Sequence, residues 1–539
     1  MALCGAGAWV IAAALLAGAT TPRGPAIGRP AADGSRAGAE RLYRDGVRAD
    51  GSPAVAVVLG DVETSGAQVS CAACHGRSGM GTAEGGEIVP PITGLALAGA
   101  RGGARPRPAY DRESLARAIR EGVDAGGNRL APLMPRYALG DEDVEALVTY
   151  LENLSIRPAP GVEEGAIHLA TVVTPDAPPA VRRATLDVLR AYVATQNAAA
   201  ARLRASHRRS LRSSVGRPEH VGDWVVHVWE LRGPPARWSG QLEALQRARP
   251  VFAAVSGAGG AEWGPVHRFC EEQGMPCLLP NVDTPPDAGD DWYSLYYSRG
   301  AALEADVIAA HLSRSPGRHR VLQVYRAGGP GAAGARGLRR ALAARAGDAV
   351  VRGVAVRSDD VSTAAIAARA RAERATAIVL WLPPADLARL RTGAAWPQRT
   401  YVSSTLLGGE LSAASGLSAR EGFIAHPFSL PGEVRDRSRA ASSWMASRGL
   451  QPVAGAEARV RDQTFVALEL LSAGMMHLTK ERRFSRDFLV EVLDHTSGRP
   501  REAAYYPEVS FGPGQRYVSK GCYLVPLPDR EDEAERIVP

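Results

Sequence analysis

The sequence predicts a multidomain chain, with a small all-α domain followed by a larger α/β region. Three observations carry that expectation. The chain has 539 residues, which points to more than one domain. A cysteine-histidine motif at 71–75 is embedded in short amphipathic helical patterns that stop near residue 155. Beyond a Pro-rich stretch, short apolar runs alternate with amphipathic helical runs, the pattern of parallel sheets with helices between strands.

Cys71-Ala72-Ala73-Cys74-His75 has the C-x-x-C-H spacing of covalent haem attachment. Two thiols three positions apart reach the two vinyl groups of one haem edge, and the adjacent histidine falls under the iron as an axial ligand. A thioredoxin-like redox pair does not need the histidine, and a zinc site needs a second ligand pair nearby, which the sequence lacks. Gly76-Arg77-Ser78-Gly79-Met80-Gly81 follows, and its glycines let backbone pass close to a flat ring. A carbonyl at Pro90-Pro91 is suited to accept the Nδ1–H of His75 and fix its tautomer. Arg112 to Val123 reads as a helix with Leu115 and Ile119 at i,i+4 spacing. Leu130 to Tyr137 reads as a rigid loop. Asp141-Glu142-Asp143 places acids in the first turn of a last helix, whose one face carries Val144, Leu147, Val148 and Leu151.

Residues 35–155 resemble a class I c-type cytochrome domain. The resemblance rests on the 71–75 motif, the loop Leu133-Met134-Pro135 and the terminal helix ending Leu147-Val148-Thr149-Tyr150-Leu151. It implies one covalent haem c on Cys71 and Cys74, with His75 and Met134 as iron ligands. Thioether ligation raises the reduction potential relative to bis-histidine haem. Met80 lies too close to His75 to cross to the opposite haem face, and is expected to line the site or face solvent. One departure matters. The family's first helix leads almost directly into the motif, whereas here Gly38 to Tyr43 is followed by Asp45 to Ser70. That insertion either forms a hairpin or displaces the helix assignment.

Composition bounds the rest. The formal net charge is +7, and all but two of the 64 basic residues are arginine, the lysines being Lys480 and Lys520. No dense basic run is interleaved with aromatics, so nucleic-acid binding is not expected. Ala6 to Leu16 is an apolar stretch of signal-peptide length before the cleavage-like Ala17-Gly18-Ala19, so residues 1–19 are expected to be a leader. An uncleaved anchor is the alternative; after cleavage no membrane span is expected. Residues 20–34 are expected to form a flexible leader, 156–164 a linker around Arg157-Pro158-Ala159-Pro160-Gly161, and 529–539 a charged tail. Covalent haem is attached outside the cytoplasm, which agrees with a periplasmic location.

Across 165–528, Ile167 to Val173 is an apolar strand, followed by a long helix through Leu186, Leu189 and Tyr192 to Asn197. Strands are expected at Trp224 to Leu231, Val251 to Ser256, Cys277 to Leu279, Val321 to Tyr325, Val350 to Val356 and Ala377 to Leu382, with helices between them. No G-x-G-x-x-G follows the first strand, which argues against a dinucleotide domain. This region resembles a type 1 periplasmic substrate-binding protein of the branched-chain amino acid and amide class. The likeness rests on the opening strand, Asn197, Val251-Phe-Ala-Ala-Val-Ser-Gly257 and Gly274-Met-Pro-Cys-Leu-Leu-Pro280. It implies two α/β lobes around a ligand cleft, with Thr174, Ser256, Gly257 and Tyr325 on cleft-facing loops. The small residues and N–H groups of Ser256 to Gly260 suit an anion. Two departures, the Pro-rich loop after Thr174 and Ala198-Ala199 in place of the family's glycines, make a standard amino-acid ligand doubtful. In an oxidising compartment Cys270 and Cys277 are expected either to form a disulfide or to remain two buried thiols.

Other chemistry is thin. Eleven histidines show no paired ligand spacing, and Ser403-Ser404 lacks a nucleophile-elbow context. The expected function is therefore a periplasmic mono-haem cytochrome that transfers single electrons, rather than a catalyst. Its binding-protein-like region would dock a redox partner such as a dehydrogenase, or sense a small ligand. The alternative is an ABC-transporter-type solute-binding protein with an accessory cytochrome domain.

Overall fold

The computed structural model describes residues 30–538, apart from 85–86, 104–105, 157, 211–221, 288–290, 315–316, 346–348, 358–359, 391–395, 418, 496–502, 508, 511, 513 and 528–529. The leader expected at 1–19, the residues up to 29 and Arg157 of the expected linker lie outside the described residues. The chain divides into two compact units, one made of residues 1–71 with 100–151, the other of 72–99 with 152–539.

In the smaller unit the first helix is Pro30–Asp45, so it begins before Gly38 and takes in the last residues of the expected flexible leader. It buries Ala39, Leu42 and Tyr43, and the Tyr43 ring packs 5.2 Å from that of Tyr150. The 45–70 insertion forms a hairpin. Val55–Val58 pairs antiparallel with Val62–Ser65, and Arg136–Ala138 adds a third antiparallel strand on the other side of Val55–Val58. The helical domain thus carries a small sheet that its periodicity does not announce, because four-residue strands are too short for an alternation signal. Helix Arg112–Glu121 starts at an Asp111–Ser114 capping box and stops at the left-handed Gly122. Helix Asp141–Asn153 buries Val144, Leu147, Val148 and Leu151, the apolar face read from the sequence.

The larger unit holds two large sheets, besides the short antiparallel pair Ala83–Glu84 with Glu87–Ile88. In the first, Ala166–Val173 runs parallel to Asp223–Glu230 on one side and Ala253–Ala258 on the other, with Cys277–Leu278 and Ser294–Leu295 beyond. In the second, Val350–Val356, Arg320–Arg326, Ala377–Trp381, Arg399–Ser403 and Glu421–His426 are parallel in that order. Cys522–Pro526 and Glu535–Ile537 close it antiparallel. Central strands are apolar on both faces because helices cover both; every residue of Ala377–Trp381 is buried. The helix after the opening strand is Pro179–Ser210, longer than its expected end at Asn197. Cys270 and Cys277 form a disulfide with Cα atoms 6.2 Å apart, tying helix Gly264–Glu272 to strand Cys277–Leu278. No helix among the described residues is long and apolar enough to cross a membrane.

Candidate functional site

Cys71–His75 is a single helical turn and a half, which puts Cys71 and Cys74 one turn apart on one face. Neither cysteine is in a disulfide. Cys71 Sγ lies 4.0 Å from the hydroxyl of Tyr137, which itself donates to the Val69 carbonyl. His75 is buried, and its Nδ1 sits 2.9 Å from the Pro90 carbonyl, the partner expected for an axial imidazole. Burial holds the His75 pKa below the usual histidine value, against the opposing pull of that carbonyl. The ring is therefore neutral, with its proton on Nδ1 and the lone pair on Nε2, to which no described residue hydrogen-bonds. That donor set, two thiols on one helical face beside a neutral imidazole, fits covalent haem.

The backbone beyond His75 turns back on itself. Gly81 donates to the His75 carbonyl at 2.9 Å, and Ile92 to Gly79 at 2.8 Å. Gly79 and Gly81 both have positive φ. A Cβ on Gly81 would lie 2.2 Å from the Val89 oxygen, and one on Gly79 2.5 Å from Leu154 Cδ2. The close approach that these glycines allow in the structure is to the chain's own Val89 and Leu154. Met80, expected to line the haem or face solvent, instead packs against the apolar core of the larger unit. Met134 is half-buried in the smaller unit and closes a turn through its N–H to the Ala131 carbonyl at 2.9 Å. The neighbouring Leu133 is 65% exposed.

The four residues expected on cleft loops fall differently. Thr174 directly follows strand Ala166–Val173, Ser256 lies within the neighbouring strand Ala253–Ala258, and both side chains are engaged. Thr174 Oγ1 donates to Asp176 and accepts from the Gly260 N–H at 3.3 Å. Ser256, in the left-handed region at φ 50°, shares a buried cluster in which Asn281 Nδ2 lies within 3.1 Å of the hydroxyls of Ser256, Thr185 and Thr464. Gly257 has the Trp263 ring against it. Tyr325 stands in the second sheet, against Gly353. The N–H groups that made 256–260 look suited to an anion are already satisfied. Gly259 donates to Asn281, Gly260 to Thr174 and Ala261 to the Asp176 carboxylate at 2.8 Å. The rigid 175–179 loop supplies its own anion.

The larger unit also holds buried polar groups that no motif announced. Glu304 accepts from Ser403 Oγ at 2.5 Å and the Thr405 N–H at 2.7 Å, and burial pushes its carboxyl up to about 7. Next door Ser404 Oγ meets His426 Nδ1 at 2.7 Å, and burial pushes this imidazole down to about 4. The serine pair is thus structural. Arg459 pairs with Asp283 at 3.1 Å and lies over the Phe428 ring at 4.8 Å. Each contact joins residues far apart in the chain, so no spacing signal existed.

A cytochrome c family model matches residues 65–155, and a periplasmic binding protein family model matches residues 232–476. No curated protein matches the sequence. Among solved structures, the chain is similar to the fatty acid ABC transporter substrate-binding protein from Thermomonospora curvata. The identity is 14% over 71% of this chain and 94% of that one, with a TM-score of 0.47. A substrate-binding periplasmic protein from Ralstonia solanacearum matches at 15% identity over 67% and 97% of the two chains, with a TM-score of 0.47. A branched chain amino acid ABC transporter protein from Thermus thermophilus with bound valine matches at 12% identity over 68% and 97%, with a TM-score of 0.44. The chain thus joins a region that matches the cytochrome c family to a region that matches a periplasmic binding protein family.

Proposed function

We propose that this chain is a periplasmic mono-haem c-type cytochrome that transfers single electrons, with its binding-protein domain docking a redox partner or sensing a small ligand. The observation that carries the reading is the buried, neutral His75, fixed by Pro90 at the end of a turn that presents Cys71 and Cys74. Bound haem supplies a one-electron ferric/ferrous couple. Each thiol would add across one vinyl group, its proton going to the vinyl carbon that does not take the sulfur. His75 would ligate through Nε2, with Pro90 holding the ring's orientation and raising its basicity. Met134, in the turn before Arg136–Ala138, would be the second iron ligand. The electron donor fitting this role is a periplasmic dehydrogenase.

Absorption spectroscopy tests the reading. Covalent haem persists after denaturation, and thioether ligation to ferric iron gives a weak near-infrared band. Met134→Ala should lose that band and lower the reduction potential. An unchanged spectrum removes Met134 from the assignment. A second reading, a transport-type solute-binding protein with an accessory cytochrome, is favoured by the binding-protein match over 232–476. Saturable small-ligand binding with no effect of haem redox state on any partner would support it instead.

A further inference from the structure

The turn that leaves His75 is held by a carboxylate 413 residues away in sequence. Glu491 Oε1 accepts from the Ser78 N–H at 2.9 Å, and Oε2 accepts from the Ser78 hydroxyl. Gly76 is part of the same contact, since a Cβ there would lie 2.8 Å from Glu491 Oε1. Ser78 is 1% exposed and has its remaining polar groups used. Its carbonyl accepts from Ser155 Oγ at 2.7 Å, and its hydroxyl oxygen accepts from the Met80 N–H at 3.1 Å. Arg77, between them, lies over the Trp292 ring at 4.2 Å. All of these residues belong to the larger unit.

Glu491 is carried by a rigid element. Its helix, Arg486–His495, buries Leu489 and Leu493 completely. Arg486 donates to the Val251 carbonyl at 2.6 Å and the Phe252 carbonyl at 3.0 Å, and Asp494 pairs with the buried Arg516 at 2.8 Å. The clamp therefore cannot drift with the turn it holds. Asp487 on its own helix, and the Ser78 hydroxyl with the backbone N–H groups of Arg77 and Ser78, are the charged and polar groups facing the carboxylate, while His495 meets the Glu491 backbone carbonyl at 2.7 Å.

We propose that Glu491 is a positioning residue for the haem, fixing the turn 76–78 that leaves the axial histidine so that the binding-protein domain sets part of the reduction potential. The inference rests on the reading of Cys71–His75 given above. Its physical basis is twofold. The turn is closed at both ends, by Gly81 on the His75 carbonyl and by Pro90 on the imidazole, so displacing Ser78 disturbs the axial ligand's support. A carboxylate hydrogen-bonded to the turn that follows the axial histidine would also favour the more positive ferric state of a haem held there.

The test uses the full haem-loaded chain with Glu491→Gln and Glu491→Ala. Gln keeps an acceptor for the Ser78 N–H and removes the charge; Ala removes both. Haem content after denaturation, midpoint potential in alkaline buffer and trypsin cleavage after Arg77 are measured for each. Both variants should keep covalent haem and show a raised potential. Ala alone should speed cleavage by about tenfold, the scale of a lost hydrogen bond to a charged group. Unchanged potential in both haem-loaded variants overturns the inference. A parent chain without covalent haem overturns the reading of Cys71–His75, while cleavage still reports on the clamp; unchanged cleavage in Glu491→Ala then overturns the clamp by itself.

Discussion

Segment 71–81 and loop 256–261 are both glycine-rich and both leave the end of a regular element, yet they dispose of their polar groups in opposite ways. After Ala253–Ala258 the N–H groups of Gly259, Gly260 and Ala261 all find acceptors inside the chain, the last of them Asp176. After Cys71–His75 the backbone is likewise satisfied, while the His75 Nε2 makes no hydrogen bond to another described residue. Two buried histidines repeat the contrast. His426 uses both nitrogens, Nδ1 with Ser404 and Nε2 with the Ser429 carbonyl at 3.3 Å. His75 uses one. Segment 71–81 leaves one imidazole nitrogen unused by the described residues, whereas the 256–261 loop spends its N–H groups within the chain.

The largest test of this contrast removes the two thiols of the first region. Cys71→Ala with Cys74→Ala should abolish covalent haem altogether, read as loss of the denaturation-resistant absorption band. The double variant should also be less stable, because the binding free energy of the group is gone. A double variant that still carries covalently held haem would break the assignment of the motif.

Next in size is the support behind the helix that carries Glu491. Asp494 and Arg516 pair with both side chains at most 2% exposed. Arg516→Met strands a buried carboxylate whose pKa burial already pushes up to about 6. Removing one partner of such a pair costs on the order of 3 kcal/mol, less whatever is recovered when Asp494 takes up a proton. Denaturant unfolding should show that loss. It should shrink in acid, where the variant's carboxyl is neutral. A loss that does not shrink in acid would mean that Arg516 acts through its packing on Trp292 instead.

Glu304 and His426 sharpen the comparison through pH. The Glu304 carboxyl rises from 4.5 to about 7 on burial, so between those values the folded chain holds a proton that the unfolded chain has released. Its contribution is full below 4.5 and is lost as pH rises through 7. His426 runs the other way. Its pKa falls from 6.5 to about 4, so its contribution is full above 6.5 and is lost as pH falls through 4. Glu304→Gln should flatten the first limb and leave the second. The gain over the parent in alkali should reach at most roughly 3 kcal/mol, the full linkage value of such a shift. A parent and variant with parallel stability–pH curves would show that Glu304 does not titrate in this way.

Much of this was legible in local sequence, and the rest was not, for physical reasons. The 71–75 motif, the capped helix at 112–121 and the apolar face of 141–153 are each written within a dozen residues. Their chemistry depends on neighbours along the chain. The alternating strands of the larger unit were readable because buried parallel strands must be apolar on both faces. The hairpin at 55–65 was hidden by its length and its mixed polarity, Val62-Glu63-Thr64-Ser65 being mostly polar. The helix from Pro179 runs on past Asn197 through Ala- and Arg-rich sequence, where propensity continues after the apolar stripe fades. The Glu491–Ser78 and Asp283–Arg459 contacts depend on tertiary closure across hundreds of residues, and one sequence carries no trace of such pairs.

The smallest effect is expected where the second region closes on itself. Asp176 is exposed, and its carboxylate accepts from Thr174 and from the Ala261 N–H. Asp176→Ala should cost about 1 kcal/mol or less, since water competes for every group involved. Its value lies in what it exposes. With the internal carboxylate gone, the Ala261 N–H and the Thr174 hydroxyl lose their acceptor, and a small carboxylate from solution could fill the space it occupied. A thermal-shift screen of carboxylates and alcohol-derived metabolites should then stabilise the variant more than the parent. The scale is roughly 2.7 kcal/mol at a hundredfold excess over Kd. A clear shift of the parent with leucine, isoleucine or valine would show that the loop is open to amino acids despite Asp176. If a bulky side chain at Gly257, where Trp263 and the Val172 carbonyl already stand 3.0 Å from a Cβ, abolished that shift, the transport reading would be restored.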